Sequence, residues 1–384
     1  MSEIKVNSIK GVAASTAAIT VNNTDGTCSA NVTNRPNVNL IINGAMEIQQ
    51  RIAGNYTTIT NDYTQIDRYH VYANPASKLT YEPSTDSPVG FSSSFKITST
   101  SAYTPVSGNY HYFGQRIEGH NWQHLEYGTS NAKTITISFY VKSSITGTWS
   151  GIVKNNSQNR SFAWEYTISS ADTWEKKTVT VPGCPDGTWE TGANAGAWIY
   201  FCIGSHSGSY LASANSWQSQ NLIGSTGSNS LVNTNAATWY MTGLKVEEGS
   251  VATDFQRRLY SQELADCMRY YQIVIQSGGG GGGNTGGLGG TPYTNGSSVY
   301  CPYRFPVEMR AEPSMESTAG TGSGSGTFRT RRGNNYNFNN FASMNDANNQ
   351  STTFITNGNG GGGDVGDYIW IETNAGAKLA LDAE

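Results

Sequence analysis

Short runs of β-branched and aromatic residues recur between residues 39 and 260, and clusters of Gly, Asn, Ser and Pro separate them. The clearest run, Thr134–Lys142, alternates apolar and polar residues, which places four apolar side chains on one face: Ile135, Ile137, Phe139 and Val141. An alternation of period two is typical of a strand with one buried face. About nine such runs over about 220 residues, with no helical pattern among them, predict an antiparallel β-sandwich. Leu40–Ile42 is the first of these predicted strands.

The composition fits a β-rich protein with many tight turns and few charges. Only 14% of the residues are charged, whereas about 25% is usual. The chain has 44 Gly, 22 Tyr and 9 Trp, so hydroxyl and amide groups, more than charges, make its surface polar. Because helices normally carry Glu, Lys and Arg on their outer faces, this scarcity of charge argues against a helical protein.

Charge and hydropathy argue against two classes of partner. The chain has a formal net charge of −4 and no clustered basic face of the kind that binds nucleic acid. No stretch approaches the roughly 18 apolar residues of a membrane span, so we expect no membrane insertion. The first residues lack the apolar core of a secretory signal. We therefore expect assembly in a host cytoplasm and release by another route, such as lysis.

The cysteines, histidines and acids form no recognisable catalytic, metal or cofactor site. The five cysteines are scattered and no pair has the spacing C-x-x-C, which favours reduced, buried thiols over disulfides or zinc ligands. His120 and His124 have the spacing i, i+4, but they lie in a predicted loop, so we expect no metal there. Asp364, Asp367 and Glu372 are interpreted as solvated loop acids. We expect neither a cofactor nor a catalytic residue.

The sequence divides into four parts. Residues 1–38 hold two short alternating runs, which cannot fold alone and predict an anchoring segment that needs a partner. Residues 39–260 hold the sandwich. Residues 261–290 hold one short amphipathic helix, with Ser261 as N-cap, and then a linker with six consecutive glycines. Residues 291–384 form a small Gly- and Asn-rich β domain at the tip, with so few large apolar residues that neighbouring chains of a homotrimer are expected to complete it.

Several strings in a fixed order resemble a jelly-roll domain of the carbohydrate-binding-module type, found in phage tail fibre and other virion structural proteins. Asn39–Arg51 is similar to the opening of that domain, Ile66–Tyr69 to its D-R-W/Y strand, and Thr242–Arg258 to its closing strand and exit. Glu263–Tyr271 resembles the helix that often follows, and Phe305–Pro313 resembles the start of the next module. The likeness spans residues 39–313. A further likeness links the N-terminal segment to fibre proteins of marine phages.

The resemblance implies a non-enzymatic tail fibre protein in the virion, with a jelly-roll β-sandwich as its main domain. Its expected partners are further copies in a homotrimer, other phage tail proteins bound through residues 1–38, and a glycan of the host cell surface. The resemblance fixes no ligand residues.

Loop aromatics are the candidate glycan ligands. Aromatic rings stack on sugars, and nearby amides and hydroxyls bind the sugar hydroxyls. Four aromatic residues of loop-like segments lie among Ser, Asn, Gln and Gly, and these are the predicted ligands: Trp149, Trp189, Tyr210 and Trp217. Each of them could instead be a core residue or a subunit contact. Trp164, Trp198 and Trp239 lie inside strand-like runs and are interpreted as core residues.

The sequence leaves other functions open. The chain could decorate a capsid or form a head fibre, or it could be a structural connector without a ligand. It could also be a polysaccharide depolymerase, which needs two carboxylates in one groove, but the 28 acids are spread thinly and no pair stands out. Within a fibre, recognition could belong to the glycine-rich region after residue 277, with the jelly roll as its scaffold.

Overall fold

This computed structural model describes residues 8–9, 19–21, 24, 28–30, 38–51, 61–206, 208, 210–276, 287–292, 298–318, 328–332, 334–338, 341–356, 369–373 and 377–384. The glycine run at 278–283 and the acids Asp364 and Asp367 lie outside the described residues. In the described part, no helix is both long enough and apolar enough to cross a bilayer.

The N-terminal segment contains a small antiparallel sheet of three strands: β1 (Ser8–Ile9), β2 (Ile19–Val21) and β3 (Cys28–Ala30). The alternating pattern predicts two strands here, and β3 is an addition to them. Strand β3 is too short for an alternating pattern to be recognised in the sequence.

Two antiparallel sheets make the main domain. Their strands and the short strands between them are β4 (Asn61–Tyr63), β5 (His70–Asn74), β6 (Leu79–Ser84), β7 (Ser94–Ser99), β8 (Tyr110–Glu118), β9 (Ile135–Ser143), β10 (Gly147–Lys154), β11 (Ser161–Ile168), β12 (Glu175–Val181), β13 (Ala195–Ser205), β14 (Leu211–Ala212), β15 (Trp217–Gln218), β16 (Gly224–Ser225) and β17 (Thr238–Glu248). One sheet has seven strands in the order β15-β11-β10-β13-β8-β5-β4, and the other has five in the order β12-β9-β17-β7-β6. The prediction of a mainly β, antiparallel jelly-roll sandwich is confirmed.

The inner faces of the two sheets meet in one apolar core. As the alternation of β9 predicts, Ile135, Ile137, Phe139 and Val141 are all buried in it. The Phe139 ring lies 4.8 Å from the ring of Phe201 on the opposite sheet. Burying each such side chain contributes roughly 1.5–3 kcal/mol relative to leaving it exposed, so this core is the main source of the sandwich's stability.

The predicted strand Leu40–Ile42 is wrong, because these residues form turns. The carboxamide of Asn39 accepts hydrogen bonds from the backbone N–H groups of Ile41 and Val246, at 3.0 Å each, and donates one to the carbonyl of Leu244 at 3.0 Å. A side chain that binds nearby backbone in this way offers it an alternative to a strand ladder.

Two short helices occur among the described residues, where the sequence predicts one. The first, α1 (Gly119–Trp122), continues into a 3₁₀ turn at Gln123–Leu125, and both lie where a loop is expected. The second, α2 (Tyr260–Met268), is the predicted amphipathic helix. Its N-cap is Leu259, which has no side-chain cap bond, so the predicted cap at Ser261 is wrong. The carboxylate of Glu263 instead accepts a hydrogen bond from the backbone N–H of Asn43.

The C-terminal part consists of a three-stranded and a seven-stranded antiparallel sheet. The strands are β18 (Tyr271–Gln276), β19 (Gly287–Pro292), β20 (Val299–Arg304), β21 (Ser314–Thr318), β22 (Phe328–Arg332), β23 (Asn334–Phe338), β24 (Phe341–Asn345), β25 (Ser351–Thr356), β26 (Ile369–Thr373) and β27 (Lys378–Asp382). Their orders are β18-β27-β21 and β23-β22-β26-β19-β20-β25-β24. These sheets share an apolar core of their own, which includes Phe328, Phe354 and Leu381.

The region predicted as helix and linker, 261–290, also contributes to this C-terminal part. Tyr271–Gln276 follows α2 almost directly and pairs with Lys378–Asp382, and the first residues of β19 pair with β26. The apolar run from Tyr271 to Ile275 explains the first strand, because pairing with β27 buries it against the C-terminal core.

Ion pairs and rings dock the C-terminal part onto the sandwich. Arg51 binds Asp382 at 2.8 Å, and Arg68 binds Glu384. The guanidinium of Arg51 also lies 4.1 Å from the ring centroid of Tyr271. Because Arg51, Arg68 and Glu384 are nearly buried, removing the partner of one of them would leave a buried charge without compensation, which is costly. The two parts therefore pack as one unit at this junction.

Four cysteines have a described side chain, and they are Cys184, Cys202, Cys267 and Cys301. All four are buried and free, so the prediction of reduced, buried thiols is confirmed for them. Burial raises the pKa of Cys184 to about 11. Such a thiol is protonated at neutral pH and unreactive, which fits a structural role.

Candidate functional site: an aromatic face on the seven-stranded sheet

Strand β13 carries large side chains on both of its faces. Ala197, Ile199, Phe201 and Ile203 enter the core between the sheets. Because successive side chains of a strand point to opposite sides, Trp198, Tyr200 and Cys202 lie on the outer face of the seven-stranded sheet, where they belong to a second apolar cluster. An outer face with this much aromatic area requires a cover or a ligand.

Five rings on three adjacent strands form this surface, which we call the aromatic face: Tyr72, Tyr110, Tyr112, Trp198 and Tyr200. Tyr72 of β5 is directly opposite Tyr112 of β8, and their rings stack 4.8 Å apart at an interplanar angle of 19°. The Tyr72 ring is also nearly parallel to that of Trp198, at 5.9 Å and 11°. Tyr72 and Tyr110 are half-buried and supply the accessible ring surface, whereas the other three are buried.

The chain between β13 and β17 covers one side of the aromatic face. Leu222 and Ile223 are buried against it, and Tyr210 meets Tyr110 edge-on with centroids 5.7 Å apart. This segment therefore forms a wall beside the accessible rings of Tyr72 and Tyr110.

A row of two cations and one ring crosses the aromatic face. Arg116 of β8 and Lys154 of β10 are the cross-strand partners of Trp198 on its two sides. The Arg116 guanidinium lies 4.2 Å from the Trp198 ring centroid, and the Lys154 amine lies 4.7 Å from it. Both distances are within the range of cation–π attraction.

The two cations of this row have neutral partners. Arg116 donates to the hydroxyl of Tyr72, and Lys154 donates to the amide oxygens of Gln158 at 3.1 Å and Asn221 at 2.9 Å. Neither has a carboxylate within salt-bridge distance in the described part of the chain. Burial, together with repulsion from Arg116, lowers the pKa of Lys154 to about 7.

The same repulsion reaches the histidine beside Tyr72. Burial, with the charges of Arg116 and Arg51, lowers the pKa of His70 to about 3, so its imidazole is neutral at physiological pH. Its ring lies 4.2 Å from that of Tyr72 and 4.7 Å from that of Tyr63. His70 therefore extends the ring surface towards β4 without adding charge.

A cleft of about 250 Å³ opens at the end of the aromatic face, between the sandwich and the C-terminal part. Arg116, Tyr63 and Asn156 form its sandwich side, and Arg310 and Glu384 line it from the C-terminal part. Asn156 accepts a hydrogen bond from the Trp198 indole at 3.3 Å, which links the cleft to the aromatic face. The cleft is smaller than the roughly 300–1,000 Å³ of drug-sized pockets, so it suits one sugar unit.

A larger cavity of about 740 Å³ lies on another side of the sandwich, beside Val38. His120 and His124 line it, and His124 lies 4.0 Å from Glu248. Glu248 also binds Lys133 at 3.1 Å. No group of three or more metal-ligating side chains occurs among the residues that the structure describes. Among its described lining residues Tyr270 is the one tyrosine, tryptophan or phenylalanine, and it is buried, so this cavity offers a sugar less ring surface than the aromatic face does.

The predicted ligand residues do not come together. Trp149 is fully buried in the core and Trp189 is 8% exposed, so neither offers a ring face to a sugar, which corrects the prediction for both. Trp189 and Trp217 do meet each other, with centroids 5.7 Å apart, in an aromatic cluster with Tyr127. Trp217 is half-buried and donates to the carbonyl of Pro182 at 2.9 Å. Of the four, Tyr210 alone contacts the aromatic face.

Trp198 and the tyrosines of the aromatic face are absent from the sequence-based set. Trp198 is buried, as expected, but it lies on the outer face rather than between the sheets. The signal was present in the run Ala197–Ile203, which is apolar at every position except for its tyrosine hydroxyl. A strand of an antiparallel sandwich with two apolar faces indicates a covered or ligand-binding outer surface.

No protein-family model matches the chain, and no curated protein matches it. Among solved structures, it is similar to the enzymatically active domain of tailspike protein 4 of bacteriophage CBA120, with 15% identity and a TM-score of 0.31. That match covers 55% of this chain and 21% of the tailspike chain, so the chain spans about a fifth of the tailspike's length.

Two carbohydrate-binding modules are also similar. One is described as CBM4, with 17% identity, a TM-score of 0.29 and coverage of 54% of this chain and 98% of that chain. The other is a family 11 module from Clostridium thermocellum in complex with a mixed-linked tetrasaccharide, with 13% identity, a TM-score of 0.25 and coverage of 53% and 100%. Since all three scores are below 0.5, the fold assignment depends on this chain's own strand order.

Proposed function

We propose that the chain is a non-enzymatic tail fibre protein of a phage virion, and that its sandwich binds a host-surface glycan on the aromatic face. In this proposal the protein is a homotrimer, and residues 1–38 attach it to other tail proteins. The ordered strings of residues 39–313 support the virion setting. The glycan function rests on one observation, which is the row of stacked rings on the outer face of the seven-stranded sheet.

The chemistry of this face suits a sugar. The C–H surface of a pyranose packs on flat apolar rings, and Tyr72 and Tyr110 expose such rings side by side. Polar groups contact the neighbouring row of Trp198 and Lys154: the carboxamide of Asn156 bonds to Trp198, that of Asn221 bonds to Lys154, and the guanidinium of Arg116 lies over Trp198. These groups can bind sugar hydroxyls that a purely apolar surface would leave without partners.

The carboxylates of the cleft support a binding role without hydrolysis. Glycosidases use two carboxylates on opposite sides of the scissile bond, one of them free to give a proton. Here Glu118 accepts two hydrogen bonds from Arg269, at 3.0 and 3.1 Å, and Glu384 is paired with Arg68. Among the described residues that line the cleft, no other carboxylate is present.

Three such faces in one fibre would act together. A single shallow face with two accessible rings binds weakly, and linked copies raise the effective affinity by roughly 10²–10⁴ when they reach the same surface. The proposal therefore predicts weak binding by one copy and strong adhesion by the assembled fibre.

Purified full-length protein should be applied to an array of bacterial surface polysaccharides. The double variant Tyr72→Ala/Tyr110→Ala should lose at least about tenfold in affinity for whichever glycan the wild type binds, because about 1.4 kcal/mol corresponds to a factor of ten. The matched control is Tyr240→Ala on the other outer face, which should bind normally. Signals at background level for the wild type, on the array and on host cells, would overturn the proposal.

A further inference from the structure

The cleft at the end of the aromatic face contains two cations without ionic partners. Arg116 donates to the Tyr72 hydroxyl, and Arg310 donates to the carbonyls of Ala383 at 2.9 Å and Ala193 at 3.2 Å. In the part of the chain that the structure describes, neither guanidinium has a carboxylate within salt-bridge distance. The two carboxylates that line the cleft are held by other arginines, Arg269 and Arg68.

Lys154, whose pKa is about 7, adds to the positive potential in the fraction of molecules in which it is protonated. Lys154 lies on the other side of the Trp198 ring from Arg116, in register with both. The side chain of Lys154 is fully buried, so it acts on a ligand through its charge rather than by contact. Charges in such a low-dielectric setting interact more strongly than they do in water.

On the opposite outer face of the sandwich, the cations of a similar row are paired with carboxylates. There Tyr240 is flanked in register by Lys96 and Lys142, which is the same arrangement of cation, ring and cation. Lys96 binds Glu82 at 2.7 Å, and Lys142 binds Asp86. The same motif is thus neutralised on one face and left uncompensated on the other.

From this contrast we infer that the cleft binds the carboxylate of an acidic sugar, such as a uronic acid, while the ring of that sugar or its neighbour packs on Tyr72. A guanidinium binds a carboxylate through two parallel hydrogen bonds, and Arg116 is held in place by Trp198 and Tyr72. The cleft volume of about 250 Å³ accommodates one such unit. This inference rests on the proposed function and specifies its substrate class.

Paired ligands test the inference. Oligosaccharides of alginate, polygalacturonate and hyaluronan should each be titrated into the full-length protein beside their carboxyl-reduced forms, which keep the sugar backbone and lose the charge. At least one acidic form should bind about tenfold or more tightly than its reduced partner, because hydrogen bonds to a charged group are stronger than those to a neutral hydroxyl. That preference should weaken as salt is raised from about 0.05 M to 0.5 M.

Variants locate the effect. Arg116→Gln should bind the acidic and the reduced form with similar affinity, and its remaining binding, even if weaker than that of the wild type, shows that the variant is folded. Arg116→Lys should restore part of the preference, because it keeps the charge and loses the two-pronged geometry. Lys96→Gln on the compensated row is the matched control and should leave the preference intact.

The outcomes separate this inference from the proposed function. Equal affinity for every acidic and reduced pair would overturn the inference and leave glycan binding in place. A sulfated probe that binds where no carboxylated one does would also overturn it. Failure to bind any sugar, including the array of surface polysaccharides, would remove the proposed function as well. A preference that survives Arg116→Gln would contradict the assigned cleft.

Discussion

The two outer faces of the sandwich carry the same cross-strand row with different surroundings. On the five-stranded sheet, Tyr240 lies between Lys96 and Lys142, and each lysine has a carboxylate partner. On the seven-stranded sheet, Trp198 lies between Arg116 and Lys154, whose described partners are neutral. The first row is complete in itself. In the second row the cations have hydrogen-bond partners but, among the described residues, no counter-charge.

The comparison of the two outer faces shows that partly exposed aromatic residues occur on both of them and so do not by themselves distinguish a binding site. Trp174 on the five-stranded side is half-buried, and its indole donates to Asp86 at 3.0 Å. That face thus has rings and cations as well, but its polar groups are satisfied internally. The distinguishing feature of the aromatic face is the lack of counter-charge around Arg116 and Lys154 in the described part.

The largest expected effect on stability is at the centre of the aromatic face. Trp198→Ala should cost about 3–5 kcal/mol, the usual loss for a buried tryptophan, because Trp198 is 5% exposed and packs on Tyr72, Arg116 and Lys154. Trp174→Ala on the other face should cost only about 1 kcal/mol, because Trp174 is partly exposed. Urea unfolding of both variants measures the difference, and equal losses would contradict the account.

A second effect, spread over a pH range, is expected from Lys154. Its pKa is lowered to about 7 by burial and by Arg116, whereas its ordinary value is 10.5. Between these values the unfolded chain binds one more proton than the folded one, so stability should rise with pH by about 1.4 kcal/mol per unit. Below pH 7 the lysine is charged in both states, so its destabilising effect is fully present.

Denaturation curves between pH 6 and pH 10 measure that slope. Lys154→Met should be more stable than the wild type near pH 7 and should lack the rise that Lys154 causes. The control is Lys96→Met. Its hydrogen bond to Glu82 raises the pKa of Lys96, so this lysine titrates above the window and its variant should keep the slope. A wild-type slope that survives Lys154→Met would show that Lys154 is not its source.

The smallest effect is expected at the compensated row. The hydrogen bond from Lys142, with that from Trp174, lowers the pKa of Asp86. Since the Asp86 side chain is 48% exposed, Asp86→Asn should cost less than about 1 kcal/mol at pH 7. A lowered carboxyl pKa stabilises the folded state above the ordinary value of 3.8 and loses that effect as pH falls. The wild type and variant should therefore converge in acid, and a gap that widens there would be contrary to this pairing.

More of the fold than of the candidate site could be predicted from the sequence. Period-two alternation identified most strands of the sandwich, because each has one face in the core, as Ile135–Val141 shows. It failed at Leu40–Ile42, because the Asn39 side chain accepts hydrogen bonds from backbone N–H groups that would otherwise be available to a strand ladder. It also gave no boundary for β18, because the partner strand Lys378–Asp382 lies more than a hundred residues away.

The site could not be assembled from sequence because it depends on register. Tyr72 meets Tyr112, and Trp198 meets both Arg116 and Lys154, only once β5, β8, β13 and β10 are aligned. Trp149 and Trp189 were predicted to lie in exposed loops, but Trp149 belongs to β10, and both rings are buried in the core. The sequence of β13 did indicate the site. Its run is apolar on both faces, but only one face can pack in the core, so the other must lie on the outer surface of the sheet.

Hydroxyl-radical footprinting of the full-length protein shows where a glycan binds, since it measures the solvent access of each ring with and without a saturating glycan that the protein binds. The account predicts lower oxidation of Tyr72, Tyr110 and Tyr210 in the complex, and unchanged oxidation of Tyr140, Tyr240 and Trp174. Protection of the latter group, or protection confined to the residues after 277, would contradict the assignment of glycan binding to the aromatic face.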